Sequence, residues 1–117
     1  MSCDLPTMFS GKIHAILCRP WANRFKGRDL YDYIFFINKG VRYNLRFLNA
    51  KLRKTAEIDH DLSHEEIYGM LMERFGEIDY KSAVDDVVNF IDPSEYGSVR
   101  IWCSEMFRQI SADLKPQ

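Results

Sequence analysis

The sequence predicts an all-α fold: a compact bundle of five or six helices, with residues 1–117 as a single helical domain. Three observations lead there. Apolar residues recur at helical spacing along nearly the whole chain, and residues that cap or stop helices fall between the periodic segments. Strand-like composition is confined to Asp32–Ile37, whose surroundings are helical. With 46% apolar and 28% charged residues, 117 residues suffice to bury a real core and lie far from disordered composition.

Phe9, Ile13, Ile16 and Leu17 recur at i, i+4, i+7 and i+8 and predict a first helix over Leu5–Arg19, stopped by Pro20. Pro20–Gly27 reads as a basic loop. Leu30, Tyr33, Ile34 and Ile37 define one face of a second helix that ends at Gly40. Asn44 is a natural N-cap for a third, basic helix marked by Leu45, Leu48 and Leu52. After a polar, acidic linker, Ser63-His64-Glu65-Glu66 forms a capping box that opens a fourth helix through Ile67, Leu71 and Phe75. Asp79 caps a fifth, carrying Val84, Val87, Val88 and Ile91. Asp92-Pro93 restarts the chain, because proline suits the first helical position. A single last helix then buries Val99, Trp102, Met106 and Ile110, or Cys103, Phe107 and Ile110.

No apolar run is long enough for a membrane span, and the N-terminus lacks the pattern of a signal peptide. Three cysteines without paired spacing fit a reducing compartment, so the expected location is the cytoplasm, with no membrane partner.

The net charge of −1 hides a division. Lys12–Lys54 carries eleven Lys/Arg and two acids, whereas Glu57–Glu95 carries twelve acids and two bases. A basic half suggests contact with nucleic acid or phosphate, but an acidic half packed beside it would neutralise it. Charge alone weighs the two readings equally.

The candidate chemistry clusters between Gly11 and Tyr33. On a helix, Lys12, Ile16 and Arg19 share one side while Phe9, Ile13 and Leu17 point elsewhere. Lysine offers a compact cation for phosphate and arginine a fork, although snorkelling surface bases would look the same. Asp29 and Asp32 sit at i and i+3 beside Arg28, at a predicted helix start where acids also serve as caps. They are the two acids of the basic stretch, and paired carboxylates can hold a divalent cation or restrain a lysine. Trp21, Phe25 and the loop bases could stack on a nucleotide or tether the loop. His60 and His64 straddle the Ser63 cap and are not expected to share a helical face. His14 reads as a core or surface histidine, and Cys18 and Cys103 as buried apolar fillers. A Gly-rich phosphate loop, a Gly-Ser pair followed by spaced aspartates, and a G-x-S-x-G elbow are all missing from the sequence.

These residues carry a resemblance. LPTMFSGKIHAILCR followed by FKGRDLYDYIFFINKG resembles the later part of the AbiEii/AbiGii-type nucleotidyltransferase toxins of abortive-infection, type IV toxin–antitoxin systems. The closing segment DYKSAVDDVVNFIDPSEYGSVRIWCSEMFRQI is similar to the C-terminal helical end of the same family. The resemblance implies that Lys12 meets the triphosphate of an incoming nucleotide, that Asp29 is the matching acid, and that Asp32 stands next in line. It makes Arg19, Lys26 and Arg28 contacts to phosphate or RNA.

In that family a separate N-terminal domain carries the Gly-Ser and Asp-x-Asp motifs for NTP and metal, and nucleotides pass in some members to tRNA. The 117 residues contain no counterpart of that domain. The expectation is therefore a truncated, split or remnant toxin, inactive or nearly so alone. Mg²⁺ and NTP are expected only for a complete enzyme, and no metal ligand is assigned in this chain. The implied partners are an N-terminal nucleotidyltransferase half or an antitoxin, an RNA, and a second copy docking through an exposed apolar face. The alternative is a non-catalytic helical module that binds nucleic acid or a partner protein through its basic half.

Overall fold

The computed structural model describes residues 4–18, 27–56 and 58–117. Among these residues seven α-helices and two short 3-10 turns occur, and the sole β feature is an isolated bridge between Tyr43 and Pro116. The all-α expectation holds, with the last predicted helix split in two.

Helix α1 (Leu5–Cys18) buries Phe9, Ser10, Ile13, Ile16 and Leu17. Ile16 thus belongs to the core and not to a polar side shared with Lys12, which correspondingly sits at the margin of the buried face. Helix α2 (Gly27–Asn38) buries Leu30, Tyr33, Phe36 and Ile37, and the chain reverses after it at Gly40, whose φ of 71° is the left-handed conformation glycine adopts freely. Helix α3 (Leu45–Thr55) is capped as the sequence predicts: Asn44 accepts a hydrogen bond from the Phe47 N–H. Helix α1 packs against both α2 and α3. The buried Ser10 hydroxyl joins α1 to α3 by accepting from the Asn44 N–H at 2.7 Å.

Helix α4 (His64–Glu77) opens with the predicted capping box, Ser63 and Glu66 each accepting from the other's backbone N–H. Such a cap contributes about 1 kcal/mol. The linker before it is clasped by buried Asn49, which donates to the Leu62 carbonyl at 3.0 Å and accepts from the Leu62 N–H at 2.8 Å. Helix α5 (Tyr80–Val87) starts at the predicted cap Asp79 but ends before Val88 and Ile91.

The chain then restarts at Asp92, which accepts from the Ser94 N–H, with Pro93 first in a 3-10 turn. Where one helix was expected there are two, α6 (Tyr96–Arg100) and α7 (Ser104–Ile110). The break at 101–103 follows from packing. It puts Phe107 at the centre, with ring centroids 5.2 Å from Phe75, 5.7 Å from Tyr80 and 5.4 Å from Trp102. Cys103, in extended backbone, is exposed, and Cys18 is only half-buried, so neither is the buried filler the sequence suggested. A final 3-10 turn, Ser111–Asp113, brings the Ser111 hydroxyl 2.6 Å from the buried Tyr33 hydroxyl and so ties the end of the chain to α2.

Candidate functional site

Lys12 lies midway along α1 and reaches across to the start of α2. Its ammonium is 2.9 Å from Asp32 Oδ2 and 3.4 Å from Asp29 Oδ1. The two aspartates converge because three residues is close to one helical turn. Their surroundings differ. The Asp29 side chain is 7% exposed and the Asp32 side chain 38%, with Lys12 itself at 34%. One carboxylate is therefore a buried anchor and the other a solvent-facing arm. Burial pulls the Lys12 pKa down, but the hydrogen bonds and charges of Asp32 and Asp29 overcome it, so the net shift is upward. Lys12 carries its proton throughout the physiological range.

The position of α2 depends on a second contact, one that no local sequence pattern signals. The first backbone N–H of α2, at Gly27, donates to Asp86 Oδ2 of α5 at 2.9 Å. Gly27 itself lies so close to α5 that a Cβ there would fall 2.0 Å from the Ala83 carbonyl oxygen and 2.9 Å from Val87 Cβ. A side chain at that position would force the helices apart. Gly27 and Asp86 thus fix the end of α2 that carries Asp29 and Asp32. Being 59 residues apart, they offer no local pattern that could have linked them.

The other predicted residues are distributed differently. Arg28 is exposed and turns away from Lys12 to lie over the Phe90 ring, 4.2 Å from its centroid. Arg19, Lys26, Trp21 and Phe25 lie outside the described residues. The structure therefore brings together Lys12, Asp29 and Asp32, and leaves Arg28 apart from them. His14 contacts the Thr55 hydroxyl of α3 at 2.7 Å, and burial with the nearby Lys51 charge lowers its pKa. His64 contacts the Tyr43 hydroxyl at 2.6 Å, whereas exposed His60 pairs with Asp59.

Chemically, the trio holds an ammonium between two carboxylates. Magnesium requires near-octahedral oxygen ligands at roughly 2.0–2.1 Å. Asp29 and Asp32 instead converge on the lysine, and among the described residues no group of three or more His, Cys, Asp or Glu is placed to hold a metal ion. The trio does not fit a magnesium ion by itself. With one cation and two anions the trio has a net charge of −1.

A family model, the nucleotidyl transferase AbiEii toxin of type IV toxin–antitoxin systems, matches residues 3–110. The chain belongs to this family. The match spans the Lys12–Asp29–Asp32 trio, the Gly27–Asp86 contact and both terminal helices. The family is the toxin side of a toxin–antitoxin system, which sets an antitoxin opposite it. No curated protein and no solved structure gives a significant match. No helix among the described residues is long and apolar enough to cross a membrane.

Proposed function

We propose that this chain is the helical part of a nucleotidyltransferase toxin that presents Lys12 to the triphosphate of a nucleotide, with tRNA or another RNA as acceptor. The observation that carries the reading is the placement of the Lys12 ammonium between Asp29 and Asp32 in a member of this family. Asp29, buried, acts as a positioning residue that aims the lysine. Asp32, exposed, shields the ammonium until a phosphate oxygen replaces it. In this reading the magnesium ligands and the Gly-Ser and Asp-x-Asp motifs belong to a nucleotidyltransferase domain outside these 117 residues. Mg²⁺ and NTP then bind at the assembled site and not to this chain alone.

A lysine in this setting stabilises charge that develops on the phosphate chain as the nucleotidyl group is transferred. The electrostatic gain needs a fixed cation, which the two carboxylates and the Gly27–Asp86 contact supply. Exposed Leu5 and Met8 on α1, with Phe35 on α2, offer apolar surface for the domain that completes the site or for a second copy of the chain.

The test is incorporation of radiolabelled nucleotide into tRNA by the chain alone and mixed with the polypeptide that bears the Asp-x-Asp motif. Transfer in the mixture and little or none by the chain alone is the expected result. Absence of transfer in the reconstituted mixture would refute the reading.

A further inference from the structure

We propose that the exposed face of α3, with the turn that leads into it, is a docking surface for the phosphate backbone of the RNA acceptor. The inference rests on the toxin reading for the identity of the polyanion, but its evidence lies elsewhere in the molecule. Tyr33–Ala56 carries six Lys/Arg and no acid. Lys39, Arg42, Arg46, Lys51, Arg53 and Lys54 are all exposed. Arg53 is paired with Asp61 at 3.1 Å. Arg42, Arg46 and Lys54 have no acid within ion-pair distance among the described residues.

Among the described residues the acidic half therefore leaves most cations of α3 and its leading turn without an ion pair. Arg53–Asp61 is the ion pair that joins the two among the described residues, and it sits at the edge of the acidic linker. Along α3, Arg46, Lys51 and Lys54 rise about 12 Å from first to last and fan over about 140° of the helix circumference, because steps of five and three residues do not return to one line. The bent, multiply charged backbone of a folded nucleic acid matches such a broad face. Arginine forks and lysines are the side chains that hold nucleic-acid backbones without reading sequence. The face also bears Phe47, with Lys51 5.5 Å from its ring centroid, beside which an unpaired base could stack.

This surface is separate from Lys12. The lysine leaves α1 toward α2, whereas His14, two residues on and so on the other side of the helix, meets Thr55 of α3. The docking face and the proposed phosphate site thus flank the same helix, and each can be removed without the other. The twelve acids of Glu57–Glu95 repel a polyanion from elsewhere on the molecule and leave α3 as its landing face.

The experiment measures binding of fluorescein-labelled tRNA by anisotropy from about 50 to 200 mM salt, the range over which phosphate contacts lose affinity steeply. It compares the wild-type chain, the triple variant Arg42→Gln/Arg46→Gln/Lys54→Gln, and Lys12→Met. The triple variant should bind about tenfold or more weakly, and its slope of log affinity against log salt should shrink by about 2 to 3. Lys12→Met should keep both values. All three substituted side chains of the triple variant are exposed, so its circular dichroism and melting temperature should match the wild type. Wild-type affinity and slope persisting in a folded triple variant would overturn the proposal. So would wild-type binding to polyglutamate with none to tRNA, which would mark an acidic protein as the partner. If the triple variant loses tRNA while Lys12→Met transfers nucleotide normally in the reconstituted mixture, the docking face stands and the assignment of Lys12 falls.

Discussion

The two flanks of α1 treat positive charge in opposite ways. Toward α2, one lysine is bracketed by two carboxylates, partly shielded and fixed in direction. Toward α3, six cations stand in solvent, and among the described residues Arg53 is the one of them paired with an acid. A held cation is suited to acting on one atom of a ligand, because its orientation is already set. A loose set of cations is suited to a long-range field and to many interchangeable contacts. Lys12 therefore reads as a site residue and the α3 cations as a surface, although all belong to the same basic stretch of sequence.

The contrast can be broken by substitutions whose effects should differ in size. The largest belongs to Gly27→Val, because α5 leaves no room for a Cβ there. It should cost about 3 kcal/mol or more in urea unfolding, as overpacking at a helix contact does. Arg46→Gln on the α3 face should stay within about 0.5 kcal/mol of wild type, as surface changes do.

The two aspartates should separate next. Asp29→Asn removes a buried charged partner and should cost about 1 to 2 kcal/mol, whereas Asp32→Asn, half in solvent, should cost about 1 kcal/mol or less. Equal losses in paired unfolding curves would dissolve the distinction between anchor and arm.

Alkaline pH sharpens the comparison further. The Lys12 pKa is raised in the folded state, so its stabilisation is present in full below the ordinary lysine value of 10.5 and is lost as pH rises through the folded value. Burial also raises the pKa values of Tyr33, Tyr43 and Tyr80 above their ordinary 10.0 and adds to the same decline. Subtracting the Lys12→Met profile from the wild-type profile between pH 10 and 12 isolates the lysine. The wild type should fall more steeply, and parallel profiles would show that the carboxylates do not hold it.

The smallest effect is a gain. Gly11 sits within α1 with open space where a Cβ would go, so Gly11→Ala should stabilise the fold by about 0.5 to 1 kcal/mol and leave Lys12 undisturbed. A loss of stability on thermal melting would contradict that open setting.

What was legible in the sequence was mostly local. Asn44, Ser63 with Glu66, and Asp79 cap where the sequence places them, and the chain restarts at Asp92-Pro93, because such signals are set by residues one to three apart. The break between α6 and α7 was not legible. The apolar pattern from Val99 to Ile110 suits one continuous helix, and it is the packing of Phe107 among Phe75, Tyr80 and Trp102 that decides otherwise. In the site, helical spacing grouped Lys12 with Arg19 on one side of α1. The family resemblance instead pointed to Lys12 with Asp29 and Asp32, and the structure brings those three together. Asp86 and Gly27 were invisible because their contact joins distant parts of the chain.

The central claim is that Lys12, held between Asp29 and Asp32, acts on the nucleotide and not on the RNA. The most direct measurement is the rate of nucleotide transfer to tRNA in the reconstituted mixture with the wild-type chain and with Lys12→Met, alongside tRNA affinity for each. The rate should fall at least about a hundredfold, of the order seen when one charge-stabilising donor is removed, with tRNA affinity unchanged. An unchanged rate, or a loss explained wholly by weaker tRNA binding, would contradict it.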